Sequence, residues 1–268
     1  MAIITLSRDS YSRGKEVAEK VAKELGYDCI SREILLEASE IFNIPQIKLY
    51  RAIHDAPSIL DRLTNGKQRY IAYIRATLLD YLRKDNVVYH GLAGHFFVRE
   101  IPHALRVRII ANMDERVRVE MERENISKKE AMELLKSDDE QRRKWSKSLY
   151  GLDTSDPSLY DLIIHLKKIS VDEAVETICY AARQKCFETT PQSQKAMDDL
   201  ALAAEVNAAI IEMAPHARLF AEDGNVTVTV KSQLEDTVLT SQIMTAAKNI
   251  KGVKTVKVEM EPFSLYAS

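Results

Sequence analysis

The residues Asp9, Ser10, Tyr11, Ser12, Arg13, Gly14, Lys15 and Glu16 stand between an apolar run, Ala2–Leu6, and a stretch in which Val17, Ala18, Val21, Ala22 and Leu25 recur at helical spacing. A strand that feeds a polar loop and then a helix brings backbone N–H groups and the positive helix end to one point, which is a ready site for an anion. The usual phosphate-binding loop reads G-x-x-x-x-G-K-[ST]. Its glycines let the backbone wrap the phosphates, its lysine reaches the β- and γ-phosphates, and its hydroxyl binds Mg²⁺. Two registers compete here. Aligned on Gly14-Lys15, the first glycine has become Asp9 and the hydroxyl has become Glu16. Aligned on the helix at Val17-Ala18, Gly14 takes the lysine slot and Lys15 lies one residue late, leaving Arg13, Ser10 and Ser12 to supply charge and hydroxyls. Ser10, Ser12, Arg13, Gly14, Lys15 and Glu16 are therefore the candidate phosphate-binding residues, with Lys15 also a candidate for catalysis.

Other residue types bear on the same chemistry. Arg116, Arg118, Arg123, Arg142 and Arg143 lie on two highly charged segments, Asp114–Glu124 and Lys128–Lys136 with the residues after it. They are suited to neutralising phosphates, and equally to decorating solvated helix faces beside Glu115, Glu120, Glu122 and Glu124. His90, His95 and His103 follow no metal-ligand spacing, and no metal-ligating residue is assigned. Trp145 and Tyr150 offer rings to stack on a base or to pack.

The elements that position these groups read as follows. After the opening strand, loop and helix, with Gly26 as a C-cap, Ile34–Phe42 reads as a helix, and Pro45 and Pro57 bracket a stretch to which no element is assigned. Gln68–Lys84 is amphipathic, with Tyr70, Ile71, Ile74, Leu78, Leu79 and Leu82 near one face. Val87–Tyr89, Arg106–Ala111 and Leu162–Ile164 read as strands. Ser127 is a predicted N-cap, with Glu130 three residues on, and Val171–Lys185 is a closing helix. Strands alternating with helices predict a parallel α/β sheet.

A polar, proline-containing stretch, 189–196, reads as a linker. The pattern then restarts: helix Asp198–Met213, strand Arg218–Glu222, a turn at Asp223-Gly224, alternating Val226, Val228 and Val230, helix Thr237–Ile250, and a last strand with Val253, Val256 and Val258. The predicted organisation is an α/β domain over 1–188 with a P-loop NTPase-type parallel sheet flanked by helices, a linker, and a small α+β domain (α-β-β-α-β) over 197–262. So small a second unit, without disulfides, is expected to lean on a neighbour.

The first unit resembles the cytidylate kinase-like family, relatives of bacterial CMP kinase. Carrying the resemblance are Ile4-Thr-Leu-Ser-Arg8, Leu25-Gly-Tyr27, Val87-Val-Tyr-His-Gly91, Asp114-Glu-Arg116-Val-Arg118, Asp139-Glu-Gln-Arg142 and Asp156-Pro-Ser-Leu-Tyr160-Asp161, in the family's order. The resemblance implies ATP and Mg²⁺ as cofactors and a nucleotide or other small molecule as acceptor. It also implies Arg116 and Arg142 as phosphate-clamping catalytic residues, with Arg75, Gly91 and Asp161 on the acceptor side. Two features depart from a CMP kinase: Gly91 is followed by Leu92-Ala93 where arginine and aspartate hold the acceptor, and the Mg²⁺ hydroxyl is missing. The resemblance thus leaves open both an active phosphotransferase and a degenerate kinase fold that senses nucleotide or ligand. Residues 197–262 resemble the BON domain through Val206, Ala209, Ile210, Glu222-Asp-Gly-Asn-Val-Thr-Val and Ile250-Lys-Gly-Val-Lys-Thr-Val256. That likeness implies a lipid or small ligand, with Lys231, Lys248, Lys251, Lys254 and Lys257 either a basic face or a guarded sheet edge.

Composition sets outer bounds. The 268 residues are 46% apolar, and 38 Lys and Arg face 40 Asp and Glu, so no global field favours DNA, RNA or an anionic membrane. No apolar run approaches the ~20 residues of a spanning helix, and the N-terminus lacks the pattern of a signal peptide. The three cysteines, Cys29, Cys179 and Cys186, have no metal-ligand spacing and suit a reducing cytoplasm.

Overall fold

The computed structural model describes residues 2–10, 12–31, 42, 66–91, 93–232 and 236–262. The expected helix Ile34–Phe42 and the Pro45–Pro57 region lie, apart from Phe42, outside these residues, as does Leu92.

The first unit opens with β1 (Ile3–Arg8), α1 (Gly14–Leu25) and β2 (Asp28–Ser31). It continues with α2 (Gly66–Leu82), β3 (Val87–His90), the short α3 (Gly94–Phe97), and β4 (Ala104–Ala111). Helices α4 (Met113–Glu124) and α5 (Lys128–Tyr150), strand β5 (Leu162–Leu166) and helix α6 (Val171–Ala182) complete it. The five strands form one sheet in the order β2-β3-β1-β4-β5, with every pair parallel. Strand β1 is central because its apolar residues are buried on both faces: Ile3 and Ile4 are fully inaccessible and Leu6 nearly so. From β1 the chain goes to one side for β2 and β3 and to the other for β4 and β5. The loop after β1 therefore sits at the switch point, where open α/β sheets form their crevice.

Helix α5 runs much further than the expected Lys128–Lys136. Nothing between Lys128 and Tyr150 breaks a helix, and it stops only at Gly151, whose φ of 69° makes a left-handed cap. Ser127 and Glu130 form the predicted capping box. The extension matters because Asp139 and Arg142 ride on it.

The stretch read as a linker is largely helical: α7 spans Pro191–Ile210, with Pro191 in its first turn and Thr190 as its cap. Strands β6 (Arg218–Glu222) and β7 (Asn225–Lys231), helix α8 (Thr237–Lys248) and strand β8 (Thr255–Glu261) follow. They make a second sheet, β6-β7-β8, antiparallel in its first pair and parallel in its second. Helix α7 is apolar on two sides. Met197, Ala201, Ala204 and Ala208 join the core that contains Tyr70, Tyr73 and Ile74 of α2. Leu202, Val206 and Ile210 join Val226, Val228 and Ile243 in the core of the small sheet. Alanines on the α2 side permit close helix approach, and polar ties hold the seam: Tyr73 donates to Glu212 at 3.1 Å, and Arg83 pairs with Glu205 at 3.1 Å. The small unit does lean on the first one, through a shared helix rather than across a linker.

Candidate active site

The loop Asp9–Arg13 is tied down from three sides. Ser12 is fully buried, and its hydroxyl donates to the carbonyls of Asp9 (3.0 Å) and Ile109 (3.3 Å), so it holds the loop rather than facing solvent. Arg13 has a φ of 59° and ends the loop as the N-cap of α1, a conformation that L residues adopt rarely and glycine readily. That left-handed turn fixes the register: Arg13 stands where the last loop glycine is expected, Gly14 fills the lysine slot, and Lys15 falls one residue beyond it. Lys15 points outward along α1, 63% exposed and 3.7 Å from Glu19. Glu16 is also turned outward, where it accepts from Arg13 Nε at 2.9 Å and sits 3.3 Å from Lys20. The structure thus draws Ser10, Ser12, Arg13 and Gly14 into the loop and leaves Lys15 and Glu16 on the exposed side of the helix.

Arginines close over the loop from α4 and α5. Arg116 is 4% exposed; its Nε donates to the Ser10 carbonyl at 2.6 Å and its guanidinium pairs with Asp139 at 2.7 Å. Asp139 accepts in turn from the Ser10 backbone N–H at 3.2 Å. A loop amide thus already holds an anionic oxygen, and beside it the Ser10 hydroxyl is buried without a partner. Those two donors fit a phosphate group. Arg142 reaches the Arg8 carbonyl at 3.4 Å. Arg8, Asp139 and Arg142, together with Ser7, Asp9, Arg108, Lys136 and Arg143, line a cavity of about 440 Å³. A second cavity, about 360 Å³, opens on the other flank, between Ser12, Arg13, Asn112, Asp114, Leu166 and Ile169.

Beneath the loop lies a polar chain. Arg108 pairs with Asp9 at 2.8 Å and donates to the Tyr160 hydroxyl at 3.1 Å. Tyr160 also meets His95 Nε2 at 3.3 Å and Ser7 Oγ at 3.4 Å. Burial raises the Asp9 carboxyl above its ordinary range, against the pull of Arg108 and Arg116. Burial lowers His95 to about 3, so its ring is neutral across the physiological range. Among the described residues no group of His, Cys, Asp or Glu could by itself hold a metal ion.

The expected acceptor-side residues separate. Gly91 ends β3 beside β1, its N–H donating to Leu6 at 3.3 Å, and the Tyr89 ring leaves no space there for a side chain. Asp161 binds Arg106 through both oxygens, at 2.7 and 3.0 Å, and ties the start of β5 to β4 away from the loop. Arg75 lies on α2 toward α7 and β6, lining a cavity of about 350 Å³ with Lys195, Leu200 and Phe220. Tyr150 packs against Phe96 and Phe97. No sequence signal joins Arg108, Tyr160 and His95 in one network, or brings Asp139 to Arg116 and Ser10. A Tyr160-Asp161 pair at a strand start was visible, but no spacing linked it to Asp9.

A five-stranded parallel sheet in this order, with a phosphate-shaped loop at its switch point and arginines closing from the following helices, defines a P-loop kinase fold. Residues 3–168 match the cytidylate kinase-like family, and the chain belongs to that family. Cytidylate kinase of Ignicoccus hospitalis is 26% identical over 183 residues, which cover 66% of this chain and 97% of that one. Cytidylate kinase of Thermococcus kodakarensis is 28% identical over 166 residues, 61% of this chain and 78% of that one. Among solved structures, a protein of Eubacterium ventriosum shares the fold with a TM-score of 0.52 at 21% identity, covering 68% of this chain and 97% of that one. No helix among the described residues is long and apolar enough to cross a membrane.

Proposed function

We propose that the chain is a phosphotransferase of the nucleoside monophosphate kinase type, moving a phosphoryl group from ATP to a nucleotide or another small acceptor. The observation that carries this reading is the convergence of Arg116 and Arg142, from two different helices, on the Arg8–Ser10 backbone. Phosphoryl transfer asks for positioning and charge stabilisation more than for covalent help. The γ-phosphate would take the Ser10 amide now held by Asp139, and the base would enter the cavity between Arg13 and Leu166. Mg²⁺ is commonly held by one or two carboxylates together with the phosphates. Asp9 and Asp139 would supply them, since no hydroxyl stands at the usual place in the loop. Leu92-Ala93, at the positions where CMP kinases carry arginine and aspartate, favours an acceptor that differs from CMP.

The element order α-β-β-α-β supports reading the C-terminal unit as a BON domain with a regulatory or ligand-binding role. Three free thiols, two of them exposed, suit a reducing cytoplasm. The outward turn of Lys15 favours a second reading, a nucleotide sensor without turnover. Transfer of labelled phosphate from ATP decides between them. Label appearing on CMP, dCMP or another small acceptor supports the kinase; ATP binding with no transfer to any acceptor supports the sensor.

A further inference from the structure

In the register fixed by Arg13, the usual loop pattern falls on Arg8 for the first glycine, Arg13 for the second and Gly14 for the lysine. Both glycines have become arginine and the lysine has become glycine. The changes at 8 and 14 occupy one space. A Cβ placed on Gly14 would lie 2.7 Å from Arg8 Cδ and 2.8 Å from Arg8 Cβ. The Arg8 stem therefore runs across the slot from which a lysine would rise, and any side chain at 14 would collide with it. Arg8 is half-buried at the end of β1 and lines the 440 Å³ cavity with Asp9, Arg142 and Lys136.

We infer that Arg8 supplies from the end of β1 the phosphate-binding cation that the usual loop supplies from the first turn of α1. This rests on the phosphotransferase reading and names its missing charge. The guanidinium would donate to oxygens of the β- and γ-phosphates, neither giving nor taking a proton. Its planar pair of donors suits a bridging contact better than an ammonium does. The cation loses nothing by changing its point of attachment, because a phosphate senses where the charge sits and not which backbone position carries it. It also explains why Lys15, the lysine nearest the motif, can be turned to solvent.

The test is calorimetric titration of the whole chain with ATP·Mg²⁺ and, separately, with inorganic tripolyphosphate. The proteins compared are the wild type, Arg8→Gln, and the exchange variant Arg8→Gly with Gly14→Lys. Arg8→Gln keeps the stem over Gly14, and a far-UV circular dichroism melt checks that it folds. Both ligands should bind Arg8→Gln at least about tenfold more weakly, and the exchange variant should recover most of the loss. Unchanged binding by folded Arg8→Gln, or an exchange variant no better than Arg8→Gln, overturns the inference. Tripolyphosphate binding that depends on Arg8, without ATP binding, leaves the inference standing and removes ATP as donor. A wild type that binds neither ligand overturns both.

Discussion

Arg142→Ala should lower turnover about 10²–10³-fold while changing ATP affinity less than about tenfold. Arg142 approaches the loop from α5 and reaches the Arg8 carbonyl at 3.4 Å, a long contact. It also lines the cavity in which the transferred group would sit, next to Lys136 and Arg143. Charge placed there gains most when negative charge spreads over the phosphoryl oxygens in the transition state, and gains less in the ground state. Steady-state rates combined with calorimetric affinities separate the two effects. Equal losses in turnover and affinity would mean that Arg142 only helps to bind.

The second large effect concerns stability. Arg116 is almost fully buried, whereas its partner Asp139 keeps 32% of its side chain exposed. Asp139→Ala leaves a buried guanidinium with the Ser10 carbonyl as its one remaining hydrogen-bond acceptor among the described residues, and should cost about 3 kcal/mol. Arg116→Met leaves a carboxylate that water can reach and replaces a buried ion by an apolar stem, so it should cost clearly less. Urea unfolding of the two variants checks this order, and the reverse order would mean that Asp139 does not neutralise Arg116. Asp139→Ala also frees the Ser10 N–H from its carboxylate.

The opening strand, the loop and the first helix were legible because apolar runs and 3.6-residue spacing are local signals. The register within the loop was not, since the pair Gly14-Lys15 mimics the motif, and only the left-handed backbone at Arg13 settles which residue stands in which slot. The role of Asp139 was illegible for a different reason: it meets Ser10 across 129 residues of chain, and no pattern encodes that meeting. The second half of α5 is illegible because the run of charges after Lys136 carries little apolar periodicity, although nothing in it breaks a helix. The family resemblance implies Arg75 on the acceptor side, but in the fold it lies toward α7 and β6. Periodicity gives the faces of a helix but not the neighbour that covers each one, and here that neighbour is α7. The small unit was legible as α-β-β-α-β from its alternating valines. The second apolar stripe on α7 was present in the sequence as Met197, Ala201, Ala204 and Ala208, but alanine spacing alone does not announce a partner helix.

Phosphotransfer by this chain requires a working triphosphate site at the Arg8–Gly14 loop, and a calorimetric titration of the protein with ATP, with and without Mg²⁺, tests for it most directly. Saturable binding at one site, tightened by Mg²⁺ and weakened when inorganic tripolyphosphate competes, is the result predicted. Absence of binding up to millimolar ATP would contradict it.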